Sequence, residues 1–318
     1  MFKKNRDGSF SLSSQNKKYK WHAGSPEDRA RLANEALEKG NEDDLSFALE
    51  LVKVPTNDDS EVIQLPCGIY KLYSATYNSP EKLASMELQN RNYSYFPEIF
   101  NQLDNELAWF TTNRTFFSDI GIRRSRSVLL WGPPGYSKTA KIHDLIQKTK
   151  DVIVIFMTRT PSDAMVESLN KIDKDKIIIF EEFATAVNND SKISEMLNFL
   201  DGDNSLDNSF FIITTNHPEV IPKNILRPSR VDRFIKIDTL TEQDVKHFLK
   251  FYLKRDATES EITSMKKQSL ANLKEICISS LKESLTLEAA VKLLKTREEL
   301  LKKDFASERK ISLQDDDY

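Results

Sequence analysis

Residues 132–139 read Gly-Pro-Pro-Gly-Tyr-Ser-Lys-Thr. They follow the apolar run Ser127–Trp131 and open the helical pattern Lys138-Thr139-Ala140-Lys141-Ile142-His143-Asp144-Leu145-Ile146. A strand, a glycine-containing loop and a helix N-terminus in that order form a cradle for phosphate. Backbone N–H groups face the anion, a lysine reaches its terminal oxygens, and a hydroxyl ligates a divalent cation. The sequence therefore predicts a nucleoside triphosphate, ATP, with Mg²⁺. Gly132, Pro133, Pro134, Gly135, Tyr136, Ser137, Lys138 and Thr139 would form the cradle, with Thr139 on the metal. Ser137 stands where such loops usually carry glycine, and a small residue is tolerated there if its backbone stays in an allowed region.

Two further runs end in polar residues suited to the same chemistry. Lys176–Phe180 is an apolar strand pattern followed by Glu181 and Glu182. At the carboxyl end of a parallel strand these acids would lie where α/β sheets place their ligands. Glu181 would hold Mg²⁺ through water, and Glu182 would orient and polarise the attacking water. An Asp-Glu pair is the commoner form, so Glu181 is longer by one methylene. Phe210–Thr215 is a second such strand, ending at Asn216. Asn216 could hydrogen-bond the γ-phosphate or the attacking water; on local sequence it reads equally as a turn residue before His217-Pro218. Then Ile225-Leu-Arg-Pro-Ser-Arg-Val-Asp-Arg-Phe234 supplies three arginines. The phosphate loop already has its lysine, so the surplus points to guanidinium groups inserted into a neighbouring subunit's site. Arg230 and Arg233 are the candidates, with Arg227 assigned to a structural pair with a carboxylate. Fingers acting in trans would require a ring.

The elements needed to position these residues can be read from periodicity. Five short apolar runs, Ser127–Trp131, Val152–Met157, Lys176–Phe180, Phe210–Thr215 and Phe234–Asp238, alternate with helical segments. That is the pattern of a five-stranded parallel α/β sheet covered on both faces. Before it, Ile99, Leu103, Leu107 and Phe110 mark one long amphipathic helix from about Phe96, ending near the turn at 119–122. From Thr241 onward the pattern is helical throughout. The expected division is an accessory α+β section over 1–92, an ATPase subdomain over 93–240, a helical lid over 241–305 and a disordered acidic tail over 306–318. Within the first section, residues up to about Lys18 read as a loose arm. Ser25-Pro26-Glu27-Asp28 and Ser79-Pro80-Glu81 read as helix starts, and residues 62–73 as short strands.

Composition narrows the class. With 318 residues, 39% hydrophobic and 30% charged, the chain has room for more than one domain of a soluble protein. No apolar run approaches the ~20 residues of a membrane span. A net charge of −3 gives no general electrostatic attraction to nucleic acid. The two cysteines support neither a disulfide framework nor a cysteine metal site. A reducing compartment fits, with cytoplasm preferred; the basic N-terminus keeps the mitochondrial matrix as the alternative. The four histidines lack ligand spacing. Arg123-Arg124-Ser125-Arg126 reads as a solvated charged face, and Trp21, Trp109 and Trp131 as core.

Taken together, the phosphate loop, the paired acids, Thr214-Thr215-Asn216 and Arg227-Pro-Ser-Arg-Val-Asp-Arg233 resemble the AAA subfamily of AAA+ ATPases. The resemblance covers roughly residues 93–240. Phe116-Phe-Ser-Asp-Ile-Gly-Ile122, Leu200-Asp-Gly202, Thr214-Thr-Asn-His-Pro-Glu219 and Leu226-Arg-Pro-Ser-Arg-Val-Asp232 are similar to the subgroup containing the mitochondrial chaperone that inserts the Rieske iron–sulfur protein. The resemblance implies ATP hydrolysis in a homo-oligomeric ring, a hexamer or heptamer, acting on an unidentified protein substrate. It also implies that Ile120 and Gly121 touch adenine. Ser229 replaces the family's usual glycine, and residues 158–174 lack the aromatic loop with which unfoldases of the family pull chains through a pore. An ATPase of the replication or mobile-element type, or a slowly hydrolysing scaffold limited by Glu181 and Ser137, are the other readings. A small-molecule kinase ranks last.

Overall fold

A computed structural model describes residues 2–4, 9–12, 65–73, 81–89, 95–187, 189–202 and 205–312. The expected helix over 25–40 and the final residues 315–318 lie outside the described residues. By compactness the chain divides into two units. The first holds residues 1–91, 101–131 and 142–236, and the second 92–100, 132–141 and 237–318.

The first unit is built on one nine-stranded sheet. Its strands are β1 (Phe2–Lys4), β2 (Ser9–Leu12), β3 (Gly68–Tyr73), β4 (Lys82–Ser85), β5 (Ser125–Trp131), β6 (Ile153–Met157), β7 (Lys176–Phe180), β8 (Ser209–Thr215) and β9 (Arg233–Lys236). Their order across the sheet is β1-β2-β4-β3-β6-β7-β8-β5-β9. All five strands expected from the sequence are present, adjacent and parallel. Every residue of β6, β7 and β8 is buried, as strands covered on both faces by helices must be. This explains why they are uninterrupted apolar runs, without alternation.

The front section departs from expectation. Its strands extend this same sheet: β3 pairs parallel with β6, while β3–β4, β4–β2 and β2–β1 are antiparallel. The helix expected after Ser79-Pro80-Glu81 is the strand β4, with Leu83 fully buried opposite Leu72 of β3. Pairing and burial of Leu83 override a local helix-start signal, as tertiary context commonly does. The arm expected up to Lys18 likewise contains the hairpin strands β1 and β2.

Glu81, just before β4, is only 5% exposed. It accepts hydrogen bonds from Arg159 Nη2 at 2.7 Å, from the Ser162 amide at 3.1 Å and from the Ser162 hydroxyl. Ser162 also caps α4 (Asp163–Asn170), so one carboxylate ties the front strands to the loop that follows β6. Thr160 in that loop donates to Glu195 of α5 (Asp190–Asp201) at 3.1 Å.

The long helix expected from Phe96 is broken. A 3₁₀ turn (Glu98–Phe100) leads into α1 (Asn101–Thr112), and α2 (Arg114–Asp119) follows after Asn113. Leu103, Leu107 and Phe110 face the core as the spacing required. The α3 helix (Lys138–Lys148) follows the phosphate loop.

The lid, in the second unit, is α6 (Glu242–Leu253), α7 (Glu259–Met265), α8 (Leu270–Glu283) and α9 (Leu287–Ser312). Helix α9 runs to Ser312, into the stretch expected to be disordered tail. Thr241 and Thr258 open α6 and α7 with capping boxes, satisfying backbone donors that a helix N-terminus otherwise leaves unpaired.

Candidate active site

The parallel register aligns the carboxyl ends of β5, β7 and β8: Trp131 pairs with Thr215, and Phe180 with Ile213. Glu181 and Glu182 leave β7 at this edge, and Asn216 leaves β8. Glu182 adopts a left-handed backbone, φ 51° and ψ 47°, a conformation uncommon for a residue with a Cβ. Two hydrogen bonds hold it there. Its amide donates to Thr214 Oγ1 at 3.3 Å, and its Oε1 accepts from Asn216 Nδ2 at 2.8 Å. Asn216 therefore faces the carboxylate expected to polarise water. Thr214 was not picked out from the sequence, although it precedes Asn216 by two positions on the same strand.

Glu181 Oε1 is buried and has no hydrogen-bond partner among the described residues. A carboxylate oxygen left unsatisfied in this way suits a hard cation, which takes oxygen ligands. Among the described residues no group of three or more His, Cys, Asp or Glu could hold a metal.

In the second unit, the loop is shaped by three residues with positive φ: Gly132 (149°), Gly135 (84°) and Ser137 (62°). A Cβ on Gly132 would lie 2.0 Å from the Ile237 carbonyl oxygen, so no other residue fits. Ser137 is in the left-handed region, at a cost of about 1–2 kcal/mol. Lys138 is 8% exposed, and its ammonium donates to the carbonyls of Gly132 at 2.7 Å and Pro133 at 2.9 Å. The charge is thereby held over the loop by the loop's own backbone. Thr139 is exposed in the first turn of α3, Pro133 and Pro134 are exposed, and Tyr136 is buried. Burial pushes the Tyr136 phenol up, with Asp238 adding to the effect. The Gly135 carbonyl accepts from the Ala271 amide of α8 at 3.0 Å.

The three arginines differ in the contacts they make within the chain. Arg233, on β9, donates to Gln102 Oε1 at 3.2 Å and lies 3.8 Å from Glu106, both on α1. Arg230 donates to the Asn224 carbonyl at 2.6 Å, and its Nε lies 3.6 Å from Asp201 at the end of α5. Ser229, with φ 74°, donates to the same Asp201 at 2.9 Å. Arg227, expected to pair with a carboxylate, is exposed, as is Arg233, but forms no ion pair among the described residues. Asp201 carried no sequence signal beyond its place in Leu-Asp-Gly.

Ile120 and Gly121 lie in the turn that precedes β5 (Ser125–Trp131), in the first unit. Ile120 is exposed, and the turn is closed by bonds from Gly121 N to Ser118 O and from Ile122 N to Phe117 O. In the neighbouring basic cluster Arg123 is exposed, but Arg124 and Arg126 are not part of a solvated face. Arg124 is 6% exposed, pairs with both oxygens of Asp175, and lies 4.1 Å from the Phe110 ring centroid. Arg126 donates twice to Glu106. Trp109, expected in the core, is exposed and stacks edge-on with Phe116 and Phe117.

The family model described as "ATPase family associated with various cellular activities (AAA)" matches residues 128–239. A probable mitochondrial chaperone bcs1 of Schizosaccharomyces pombe is 27% identical over 169 residues, covering 48% of this chain and 38% of that protein. The 26S proteasome regulatory subunit S10B homolog B of Arabidopsis thaliana is 29% identical over 172 residues, 47% of this chain and 43% of its own. A proteasome-activating nucleotidase of Sulfurisphaera tokodaii is 24% identical over 191 residues, 52% and 48% respectively. The chain thus spans less than half the length of each of these relatives.

Proposed function

We propose that this chain, whose residues 128–239 match the AAA ATPase family model, hydrolyses ATP to ADP and phosphate and couples the cycle to remodelling a protein partner. The observation that carries this reading is the Glu182–Asn216 hydrogen bond at the carboxyl edge of β7 and β8. It joins a general-base carboxylate to a side chain able to report on the γ-phosphate. Gly132–Thr139 would take the triphosphate, with Lys138 turning from the loop carbonyls to the terminal oxygens. Mg²⁺, when bound with the nucleotide, neutralises charge on the phosphate oxygens; Thr139 and Glu181 would hold it. Glu182 orients the attacking water, and Asn216 fixes the carboxylate for that task.

The subunits of such an enzyme would assemble into a ring, a reading supported by the oligomeric habit of the family. Of the three arginines, Arg227 is exposed and has no ion pair within its own chain among the described residues, which suits reaching a neighbour's nucleotide. Arg230 would assist beside it, and Arg233 serves α1 of its own chain.

The work on the partner is better assigned to the front section than to threading. The loop after β6 is tied down by Glu81 and Glu195 and carries no aromatic residue between Thr158 and Ser162. Among the described residues no helix is long and apolar enough to cross a membrane. Phosphate release under saturating ATP and Mg²⁺ tests the proposal. Wild-type turnover with none in Glu182→Gln supports it, and equal rates in both would overturn it.

A further inference from the structure

The loop that follows β6 walls a cavity of about 230 Å³, lined entirely by residues of the first unit. Pro161, Val166 and Phe199 give it a buried apolar lining, while Asp163, Glu195 and Asn198 are exposed and polar. Sites for small molecules and cofactors commonly occupy about 300–1,000 Å³. This one is of a size for a single side chain.

The charges of the lining are unequally settled. Arg159 donates through Nη2 to Glu81 at 2.7 Å and through Nη1 to the Thr160 carbonyl at 3.3 Å. Its charge is thus matched by the buried carboxylate of Glu81. Glu195 is held only by neutral donors. Its Oε2 accepts from the Thr160 hydroxyl and its Oε1 from the Ser191 hydroxyl, each at 3.1 Å, and it forms no ion pair among the described residues. A carboxylate offers roughly four lone-pair sites, so each oxygen can take a further donor. Asp163, the first residue of α4, brings a second carboxylate to the same cavity. Two carboxylates therefore line it against one guanidinium that is already paired.

We propose that this cavity binds an arginine side chain of the protein partner, with the methylene stem against Val166 and Phe199 and the guanidinium on the two oxygens of Glu195. Long basic side chains bury their stems along apolar surface and keep the charged head in water. A guanidinium also meets a carboxylate through two parallel bonds, where an ammonium is a point charge. The inference rests on the reading that the chain acts on a protein partner. It gives the loop after β6 a hold on that partner that needs no aromatic residue, beside the front strands that Glu81 ties to it.

The test is fluorescence anisotropy of the full chain with labelled Gly-Ser-Ala peptides that carry arginine, citrulline or glutamate at the same positions. Citrulline keeps the shape of arginine and loses the charge, so the arginine peptide should bind about tenfold tighter or more. Glu195→Gln keeps an oxygen for the Thr160 hydroxyl and should bring the two peptides within about twofold of each other, with Tm and phosphate release unchanged. Asn198→Trp, at an exposed position of the lining, should weaken the arginine peptide by a like factor. Glu167→Gln removes the same charge from an exposed residue of α4 outside the cavity, and should leave the preference intact. Equal binding of the arginine and citrulline peptides, a preference for glutamate, or an equal loss in Glu167→Gln overturns the inference. So does binding of agmatine without binding of the arginine peptide, which would assign the cavity to a free amine. Stimulation of phosphate release by casein, an unfolded protein, tests the partner reading separately. Stimulation with no arginine preference overturns the inference alone, and no stimulation together with no peptide binding overturns both.

Discussion

Glu182 and Asn216 are joined by a 2.8 Å hydrogen bond from the amide of one to the carboxylate of the other. The pair is held by a strained backbone, since Glu182 is left-handed and its amide is fixed by Thr214. Removing the amide partner should therefore misdirect the base without emptying the site. We expect Asn216→Ala to lower kcat by about 10²-fold, within the usual range for a general base, while leaving KM for ATP within threefold. Steady-state kinetics check this, and a large rise in KM at constant kcat would contradict it.

Arginine roles separate by the contacts each makes within its own chain. Arg227→Ala should reduce turnover by about 10³-fold, as loss of a finger does, with unchanged Tm and unchanged ATP binding. Mixing that variant with Glu182→Gln subunits should restore part of the rate, because each supplies what the other lacks. Arg233→Ala should lower Tm by a few degrees and leave turnover per folded subunit largely intact, since its contacts are with Gln102 and Glu106. Turnover and Tm measured on both variants decide the assignment.

The loop glycines make opposite demands from Ser137. Gly132→Ala would force a Cβ onto the Ile237 carbonyl and should destabilise the chain by upwards of about 3 kcal/mol. Ser137→Gly removes a left-handed penalty of about 1–2 kcal/mol and adds about 0.5–1 kcal/mol of unfolded-state entropy. Denaturant midpoints should show that the first variant is crippled and the second nearly neutral. Ser137→Gly should also leave the rate of phosphate release within twofold, whereas a scaffold slowed by this serine would be accelerated.

The lid has an acid-sensitive joint. Glu261 accepts two bonds from Arg255, at 2.6 and 2.9 Å, and one from the Thr258 amide at 2.8 Å. The Arg255 bonds, foremost, bring its pKa down to about 2. A carboxyl lowered on folding contributes stability above its unfolded value, and that contribution is lost as pH falls toward the folded one. Melting temperature should thus decline between about pH 4.5 and pH 2 more steeply in wild type than in Glu261→Gln, as a pH series of thermal melts would record.

The two thiols should differ in reactivity. Cys67 is exposed and Cys277 buried, and burial pushes the Cys277 thiol up to about 11. A thiol-specific reagent should modify one group per native chain at neutral pH and two after denaturation, since the thiolate is the reactive form. Mass spectrometry of the modified peptides identifies the site.

Much of the central fold was legible because buried parallel strands leave long apolar runs. β7 was read to the residue, and β5, β6, β8 and β9 to within two residues at either end. The strand, loop and helix around 132–139 and the place of Glu181 and Glu182 at the end of β7 were legible because they are local to a strand end. What failed depended on distant partners. β4 was read as a helix since Ser-Pro-Glu is a strong local start, and only its pairing with β3 explains the strand. Arg124 and Arg126 looked like a charged surface because Asp175 and Glu106 lie far away in sequence. The tie of Tyr95 to Asp244 spans 149 positions and leaves no local signal in the sequence.

The carboxylate of Glu81 makes the front strands difficult to remove. A fragment trimmed to the ATPase sheet alone would leave the Arg159 guanidinium and the Ser162 amide without the acid that serves them, and would expose β6 as a raw sheet edge open to pairing with other chains. Residues 128–239, matched as a family, are on this view not a free-standing module in this chain. The natural unit of expression starts upstream of β3, and shorter pieces should aggregate.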